Sequence, residues 1–152
     1  MKIAIGADHA GYELKEEIKN FLKEKGVECQ DFGAYEANST DDYPEIGIKV
    51  AEVVSRGKFE RGILICGTGL GMCLAANKVP GVRATPCYGT FAARLSRQHN
   101  DSNILTLGAR LTGIDLVREI VEEWLRTGFQ GGRHKRRLGK IKKIEEKYGK
   151  DT

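Results

Sequence analysis

Short apolar runs alternate along this chain with longer segments in which apolar residues recur every three or four positions. Runs of four to six residues predict buried strands, and the recurring spacing predicts helices with one apolar face. The first helix, for example, places Leu14, Ile18 and Phe21 on one face and ends at Gly26. The predicted strands are residues 2–7, 27–32, 63–66, 82–87 and 104–107. The first predicted helix follows Asp8–Gly11, the second begins at Tyr43-Pro44, and the third is short and runs through Asn77. The last two span 88–98 and 114–126.

No two predicted strands are close enough in sequence to form a hairpin, so each pair must be joined by a helical crossover. This pattern indicates an α/β fold with a five-stranded parallel sheet and helices on both faces. Ligands of such folds bind beyond the carboxyl ends of the strands. The residues expected at that edge are Asp8, His9, Cys66–Gly71, Tyr88, Arg110 and the loop leading to Tyr43. His99 and Asn100 fall in a polar connector, 99–103, before the fifth strand, and are expected at the opposite edge unless they serve a neighbouring subunit.

The third strand ends in a cysteine and a glycine-rich turn, Cys66-Gly67-Thr68-Gly69-Leu70-Gly71. Such a turn exposes backbone N–H groups that can hold an anion, and a cysteine beside them would have its thiolate favoured. The spacing matches neither the dinucleotide-binding G-x-G-x-x-G pattern nor a P-loop. Tight packing of the strand against the helix is the alternative explanation for the glycines.

Charge is concentrated at the end of the chain. Residues 133–152 carry nine Lys/Arg and three Asp/Glu, so residues 1–132 have a net charge of −2 although the whole chain has +4. After the flexible segment 128–132, residues Leu138, Ile141, Ile144 and Tyr148 form one apolar stripe on a basic helix. This helix either packs on a second subunit or stays solvated on its own domain. Arg133 and Arg137 lie one turn apart and either grip a phosphate together or are simply solvated.

The length of 152 residues and ordinary hydrophobic content predict one domain, 1–152, with a helical extension at 133–150. No segment has the length of a membrane span or the pattern of a signal peptide, so we expect a cytoplasmic protein.

The cysteines and histidines lack zinc-ligand spacing, and no metal site is expected. Cys29, Cys73 and Cys87 are interpreted as small buried side chains, whereas Cys66 stands out by its location. Asp8-His9 is either structural or part of a site at the end of strand 1.

The chain closely resembles the ribose-5-phosphate isomerase B family, which lies within a wider group that includes galactose-6-phosphate isomerase. The resemblance rests on residues 6–11, 42–44, 65–71, 75–78, 96–101, 107–110 and 131–134, which span nearly the whole chain in the order of the family. It implies a three-layer Rossmann-like fold and a cofactor-free isomerase of the pentose phosphate pathway. The implied reaction interconverts D-ribose 5-phosphate and D-ribulose 5-phosphate through an enediolate.

The resemblance also implies a role for each site residue. Cys66 would be the base, His99 the proton donor that opens the sugar ring, and Gly67, Thr68, Gly69, Leu70 and Gly71 the loop that receives the oxyanion. Thr68 and Asn100 would contact sugar oxygens, and Asp8 and His9 would hold hydroxyls or the phosphate end, beside Tyr43. Arg110, Arg133 and Arg137 would bind the phosphate. The site would lie between two subunits of a homodimer or a dimer of dimers.

One branch of the family uses a glutamate just after the glycine loop in place of the cysteine. That position is Met72 here, which cannot accept a proton, so Cys66 is the better assignment. Allose 6-phosphate remains open as a substrate. An alternative of a different class is a non-catalytic module that binds a nucleotide phosphate and contacts nucleic acid through its basic tail. If the protein is the enzyme, we expect no nucleic-acid or membrane partner.

Overall fold

The computed structural model describes residues 1–149 and forms a five-stranded sheet with six helices among them. The strands are β1 (Lys2–Ala7), β2 (Glu28–Asp31), β3 (Arg61–Cys66), β4 (Ala84–Pro86) and β5 (Ile104–Gly108). The helices are α1 (Tyr12–Glu24), α2 (Tyr43–Ser55), α3 (Leu70–Ala76), α4 (Thr90–Asn100), α5 (Ile114–Arg126) and α6 (Arg133–Tyr148).

All strand pairs are parallel, and their order across the sheet is β2-β1-β3-β5-β4. The parallel sheet predicted from the sequence is therefore confirmed. The chain moves from β1 outward to β2 and then returns to the other side of β1 with β3. This reversal creates a crevice at the carboxyl ends of β1 and β3, where ligands bind in folds of this kind.

The sheet is covered on both faces because successive side chains of its strands alternate between them. On one face, Ile3, Ile5 and Ala7 of β1 join the core built with α1, α4 and α5. On the other face, Ala4 joins the core built with α2 and α3, which also contains Cys66 and Met72. The result is a three-layer, Rossmann-like α/β fold whose two cores meet across the central strands β1 and β3.

Most predicted elements differ from the structure by one or two residues at an end, and two differences matter more. The strand expected at 82–87 is shorter, Ala84–Pro86, and the connector expected at 99–103 is wrong in its first part, since His99 and Asn100 complete the last turn of α4. The helix extends because Arg97 Nη1 donates to Asp101 Oδ1 at 2.9 Å, one turn further on. Asp101 then ends the helix in a left-handed conformation, with φ of 46°.

The apolar residues of segment 88–98 predict that Phe91, Ala92 and Leu95 form the inward face of α4, and the structure shows a different face. Phe91 is 67% exposed and Ala92 is exposed, while Leu95 is only half-buried. The buried residues are Ala93, Ser96 and Arg97. Ser96 satisfies its hydroxyl on the Ala93 carbonyl, and Arg97 satisfies its guanidinium on Asp101 and on backbone carbonyls, so polar residues replace the expected apolar ones.

Helix α6 lies apart from both cores. His134 is its one buried residue among those described, and Ile141, Ile144 and Tyr148 of the predicted stripe are 54%, 58% and 71% exposed. The body of the same chain therefore leaves this stripe uncovered. The predicted extension to 150 includes Lys150, which lies outside the described residues.

The backbone at Gly11, just before α1, packs closely against β3. This contact predicts that a methyl group added at Gly11 lowers the stability of the fold. A Cβ at Gly11 would lie 2.5 Å from the Ile65 carbonyl oxygen, whereas a Cβ at Gly113, which also precedes a helix, would meet nothing within 4 Å. We expect Gly11→Ala to lower the free energy of unfolding by about 1–3 kcal/mol. Gly113→Ala should lose only the N-cap preference for glycine over alanine, less than about 1 kcal/mol. Urea unfolding at one protein concentration measures both, and equal stability of the two variants would contradict the packing described.

Candidate active site

Asp8 and His9 follow β1 directly and form one side of the crevice. Asp8 is 7% exposed, and its Oδ1 accepts a hydrogen bond from the Gly11 N–H at 3.0 Å. The Asp8 N–H donates to the Ile65 carbonyl of β3 at 3.3 Å. The carboxylate is thus fixed at the crevice by the first turn before α1, while the neighbouring His9 side chain is exposed.

Cys66 is the last residue of β3 and is 5% exposed. The Gly69 N–H donates to its Sγ at 3.1 Å, so the chain folds back over the sulfur within three residues. This fold requires a φ of +80° at Gly69, which glycine adopts without strain. Leu70 and Gly71 then begin the first turn of α3, where backbone N–H groups have no carbonyl partner within the helix.

Three side chains surround this loop. A Cβ at Gly67 would lie 3.2 Å from Arg110 Nη1, and a Cβ at Gly71 would lie 2.7 Å from the Tyr43 ring, so both side chains pack against bare backbone. The Tyr88 hydroxyl donates to the Thr68 carbonyl at 2.7 Å. Burial raises the pKa of the Tyr88 phenol and the nearby Cys66 adds to the rise, which keeps the phenol protonated as this hydrogen bond requires.

A depression of about 360 Å³, the size of a small-molecule site, lies beside the end of β1. One wall contains Asp8 and His9, and the other contains the loop from Ala37 to Asp42 with Tyr43 at its end. The depression thus joins the end of β1 to the loop that follows β2. Of the residues that the sequence predicted at the carboxyl edge of the sheet, Asp8, His9 and Tyr43 line this depression.

The four cysteines are all free thiols, and three of them have an environment unlike that of a reactive group. Burial raises the pKa of Cys29 to about 11, and it also raises the pKa of Cys73 and of Cys87. These thiols are therefore held in the protonated form near neutral pH. Cys87 is fully buried, as predicted, whereas Cys29 and Cys73 are half-buried.

A second cluster lies at the opposite edge of the sheet. The His99 ring, in the last turn of α4, stacks on the His134 ring of α6 with centroids 4.1 Å apart and planes within 10°. Arg133 and Arg137 flank His134 on the same helix, and Asn100 follows His99. The Gln130 N–H donates to the Gln98 carbonyl at 3.1 Å and holds the start of α6 against the end of α4.

The electrostatics of this second cluster are positive. The pKa of His134 is lowered by burial and further by His99, Arg133 and Arg137. Within residues 1–149, neither Arg133, Arg137 nor Arg110 has an ion pair with a carboxylate. Guanidinium groups without a carboxylate partner are available for an anionic ligand such as a phosphate.

The predicted site residues thus fall into two groups within one chain. The carboxyl-edge group comprises Asp8, His9, Tyr43, Cys66, Gly67, Thr68, Gly69, Leu70, Gly71 and Arg110, and the amino-edge group comprises His99, Asn100, Arg133 and Arg137. A strand of five residues separates them by about 16 Å. Sequence reasoning did not identify the stacking of His134 on His99; the pairing joins two helices whose contact no local pattern indicates.

The part of the chain that the structure describes has no group of three or more His, Cys, Asp and Glu side chains arranged to hold a metal ion. Met72, at the position of the alternative base, is fully buried in the core beside α2. None of the helices in residues 1–149 has the length and apolar character needed to cross a membrane.

The lowered pKa of His134 predicts how stability depends on pH. His134 takes up a proton near pH 6.5 in the unfolded chain but only at lower pH in the folded chain. Protonation of His134 therefore favours unfolding. The free energy of unfolding should therefore fall as the pH decreases from 7.5 to 5.5. The decrease should be smaller in His134→Phe, whose ring can still stack on His99. Urea unfolding at several pH values measures this, and the same decrease in both proteins would argue against the assignment.

Comparison with known proteins places this arrangement in a family. The ribose/galactose isomerase family model matches residues 3–141. Ribose-5-phosphate isomerase B of Escherichia coli strain K12 is 47% identical over 146 residues, which are 96% of this chain and 97% of that protein. The structure of ribose-5-phosphate isomerase B of Clostridium thermocellum is 58% identical with a TM-score of 0.95, over 97% of this chain and 99% of that one. The enzyme of Mycoplasma genitalium, solved with bound ribulose 5-phosphate, is 41% identical with a TM-score of 0.92, over 95% of this chain and 96% of that one. The resemblance found in the sequence is confirmed, and this chain belongs to the ribose/galactose isomerase family.

Proposed function

We propose that this protein is a ribose-5-phosphate isomerase that interconverts D-ribose 5-phosphate and D-ribulose 5-phosphate without a cofactor. The observation that carries the proposal is the Cys66 sulfur, which lies at the switch point of the sheet under a glycine loop and 3.1 Å from the Gly69 nitrogen. A thiol at this place can exchange a proton with a bound sugar while the loop N–H groups face the developing charge.

The reaction moves one proton between neighbouring carbons. Cys66, as thiolate, takes the proton from carbon 2 of the open-chain aldose, and the electron pair forms the enediolate. The loop from Gly67 to Gly71 stabilises the negative oxygen through its N–H groups. The Cys66 thiol then returns the proton to carbon 1, while the hydroxyl proton moves from oxygen 2 to oxygen 1, which gives the ketose.

The remaining residues bind and open the sugar. His99 donates a proton to the ring oxygen as the ring opens. Thr68 and Asn100 contact sugar oxygens, and Asp8, His9 and Tyr43 line the depression that holds the hydroxyls. The phosphate binds between Arg110, Arg133 and Arg137, whose guanidinium groups have no carboxylate partner among the described residues.

The proposed roles require both edges of the sheet in one site, which a single chain does not provide. A homodimer resolves this when the carboxyl edge of one subunit faces the amino edge of the other. A two-fold dimer then contains two equivalent sites. The exposed stripe of Ile141, Ile144 and Tyr148 on α6 supports a second subunit as its cover. A dimer of dimers would preserve the same pair of sites.

We also propose a cytoplasmic location, where thiols stay reduced. The four free cysteines and the proposed thiolate base fit such a compartment.

The purified protein, mixed with D-ribose 5-phosphate and no cofactor, should produce ribulose 5-phosphate. A parallel reaction with allose 6-phosphate tests the six-carbon alternative. We expect the higher kcat/KM with the pentose phosphate. Ketose formation from neither substrate would contradict the proposed function, and a higher kcat/KM with the hexose phosphate would assign the other substrate.

Replacing the proposed base should remove most of the activity. Because a general base contributes about 10²- to 10⁴-fold to a rate, we expect Cys66→Ala to lower kcat by that factor. Cys73→Ala is the matched control, since Cys73 is half-buried on α3 and donates its thiol to the Ala84 carbonyl, away from the loop. The control should keep kcat within about twofold. Near wild-type turnover in Cys66→Ala would require another base.

A further inference from the structure

Lys15, in α1, is a fully buried lysine for which the proposed reaction has no use. Its side chain has 0% exposure, because it lies three residues before Ile18 and seven before Leu22 on the buried side of the helix. A buried ammonium group is costly unless it is paired and hydrogen-bonded. The contacts of this ammonium group therefore indicate what it stabilises.

The Lys15 ammonium group donates hydrogen bonds to two oxygens that both lie where β2 ends, while Glu16 Oε1 is an ion-pair partner farther away, at 3.9 Å. Its Nζ is 2.9 Å from Asp31 Oδ1, and it also donates to the carbonyl oxygen of Ala34. The rings of Tyr12 and Tyr35 lie over the ammonium with centroids 5.2 and 5.6 Å away. Charge, a backbone carbonyl and two aromatic faces thus surround one cation.

These contacts fix the segment Gly33–Ala34 from one side while β1 fixes it from the other. The Gly33 N–H donates to Asp31 Oδ1 at 2.9 Å, and the Gly33 carbonyl accepts from the Ala7 N–H at 2.7 Å. The Ala34 N–H donates to the Ala7 carbonyl in return. Because Asp8 directly follows Ala7, the same small group of bonds adjoins the first wall of the depression.

The loop beyond Ala34 forms the opposite wall and has few contacts of its own. Residues 35–42 are exposed or half-buried, and the hydrogen bonds of Ser39 go to Glu36 and Asp41 within the loop. At its far end, the Tyr43 ring packs against Gly71. The path of this wall is therefore set mainly at its two ends, by the Lys15 contacts and by Tyr43.

We propose that Lys15 is a positioning residue for substrate binding, which fixes the starting point of loop 35–42 and so the distance of this wall from Asp8 and His9. The inference rests on the proposed function, since it assigns the depression to the sugar phosphate. Lys15 is not a catalytic residue, because its buried ammonium group cannot reach a ligand in the depression. Its loss should weaken the binding of substrate and transition state equally, which raises KM and leaves kcat unchanged.

The test compares Lys15→Met with Lys19→Met. Methionine keeps the apolar part of Lys15 but cannot donate to Ala34 or pair with Asp31. Lys19 is the matched control, because it pairs with the other oxygen of Asp31 at 2.9 Å and has no contact with Ala34. We expect KM for D-ribose 5-phosphate to rise about tenfold in Lys15→Met with kcat within about twofold. Lys19→Met should keep both constants within about twofold.

Hydrogen exchange of backbone amides gives a second readout that needs no substrate. The amides of residues 35–42 should exchange several times faster in Lys15→Met than in the wild type, with the amides of α5 unchanged. The proposed function fails if the wild-type protein forms no ketose. The inference about Lys15 fails if loop exchange is unchanged, and this result does not depend on ketose formation.

A decrease of kcat at unchanged KM in Lys15→Met would overturn the inference. Equal exchange of the loop amides in Lys15→Met and the wild type would also overturn it. If Lys15→Met does not fold, Tyr35→Leu decides the question. Tyr35 is 70% exposed, covers the ammonium and begins the loop, so its replacement is tolerated by the core. We expect a KM increase of about threefold and faster loop exchange; unchanged values of both would overturn the inference.

Discussion

The site depends on close contact between backbone segments around the loop that follows β3. A Cβ at Gly108 would lie 2.7 Å from the Thr68 carbonyl oxygen, and a Cβ at Gly69 would lie 3.0 Å from the Leu107 carbonyl carbon. Gly11 lies equally close to the Ile65 carbonyl from the side of α1. These close contacts accompany a loop that folds down on Cys66, so that the Gly69 nitrogen lies 3.1 Å from the sulfur. The chemistry proposed for Cys66 follows from this packing, because a longer loop or a side chain in it would move the N–H groups away from the sulfur.

Much of this could be predicted from the sequence, and the successes have one physical basis. Alternation of apolar runs with helical stripes forces parallel strands, and parallel strands bring their carboxyl ends to one edge. Asp8, Cys66 and Arg110 could therefore be grouped without knowledge of the strand order. The order itself was not predictable, since the same pattern is compatible with several arrangements of the strands.

Other features depend on contacts that no local pattern encodes. His99 was placed in a connector because polar residues surround it, whereas the Arg97–Asp101 pair extends α4 through it. A lysine such as Lys15 is ordinarily solvated, yet its ammonium group is buried against Asp31 and Ala34, at the end of β2 and just after it. Phe91 is expected inside because it is large and apolar, yet it is 67% exposed. These errors fall where tertiary contacts or a second subunit override the pattern of the sequence.

Family membership favours the isomerase over a nucleotide-binding module, and the separation of the two groups of site residues suggests how the enzyme works. Cys66 and His99 belong to opposite edges of one sheet, so each site would combine Cys66 of one subunit with His99 of the other. Such an arrangement makes the monomer inactive, and it gives the exposed face of α6 a role in building the site. Binding of the phosphate by arginines from both subunits would then stabilise the dimer as well.

Mixing two inactive variants tests this account most directly. Cys66→Ala and His99→Asn chains, unfolded and refolded together in equal amounts, should form hybrid dimers in which one site has both defects and the other has none. Random pairing then predicts recovery of about a quarter of the wild-type kcat with D-ribose 5-phosphate, far above either variant alone. Activity that does not exceed the mean of the two separate variants would contradict a site shared between subunits.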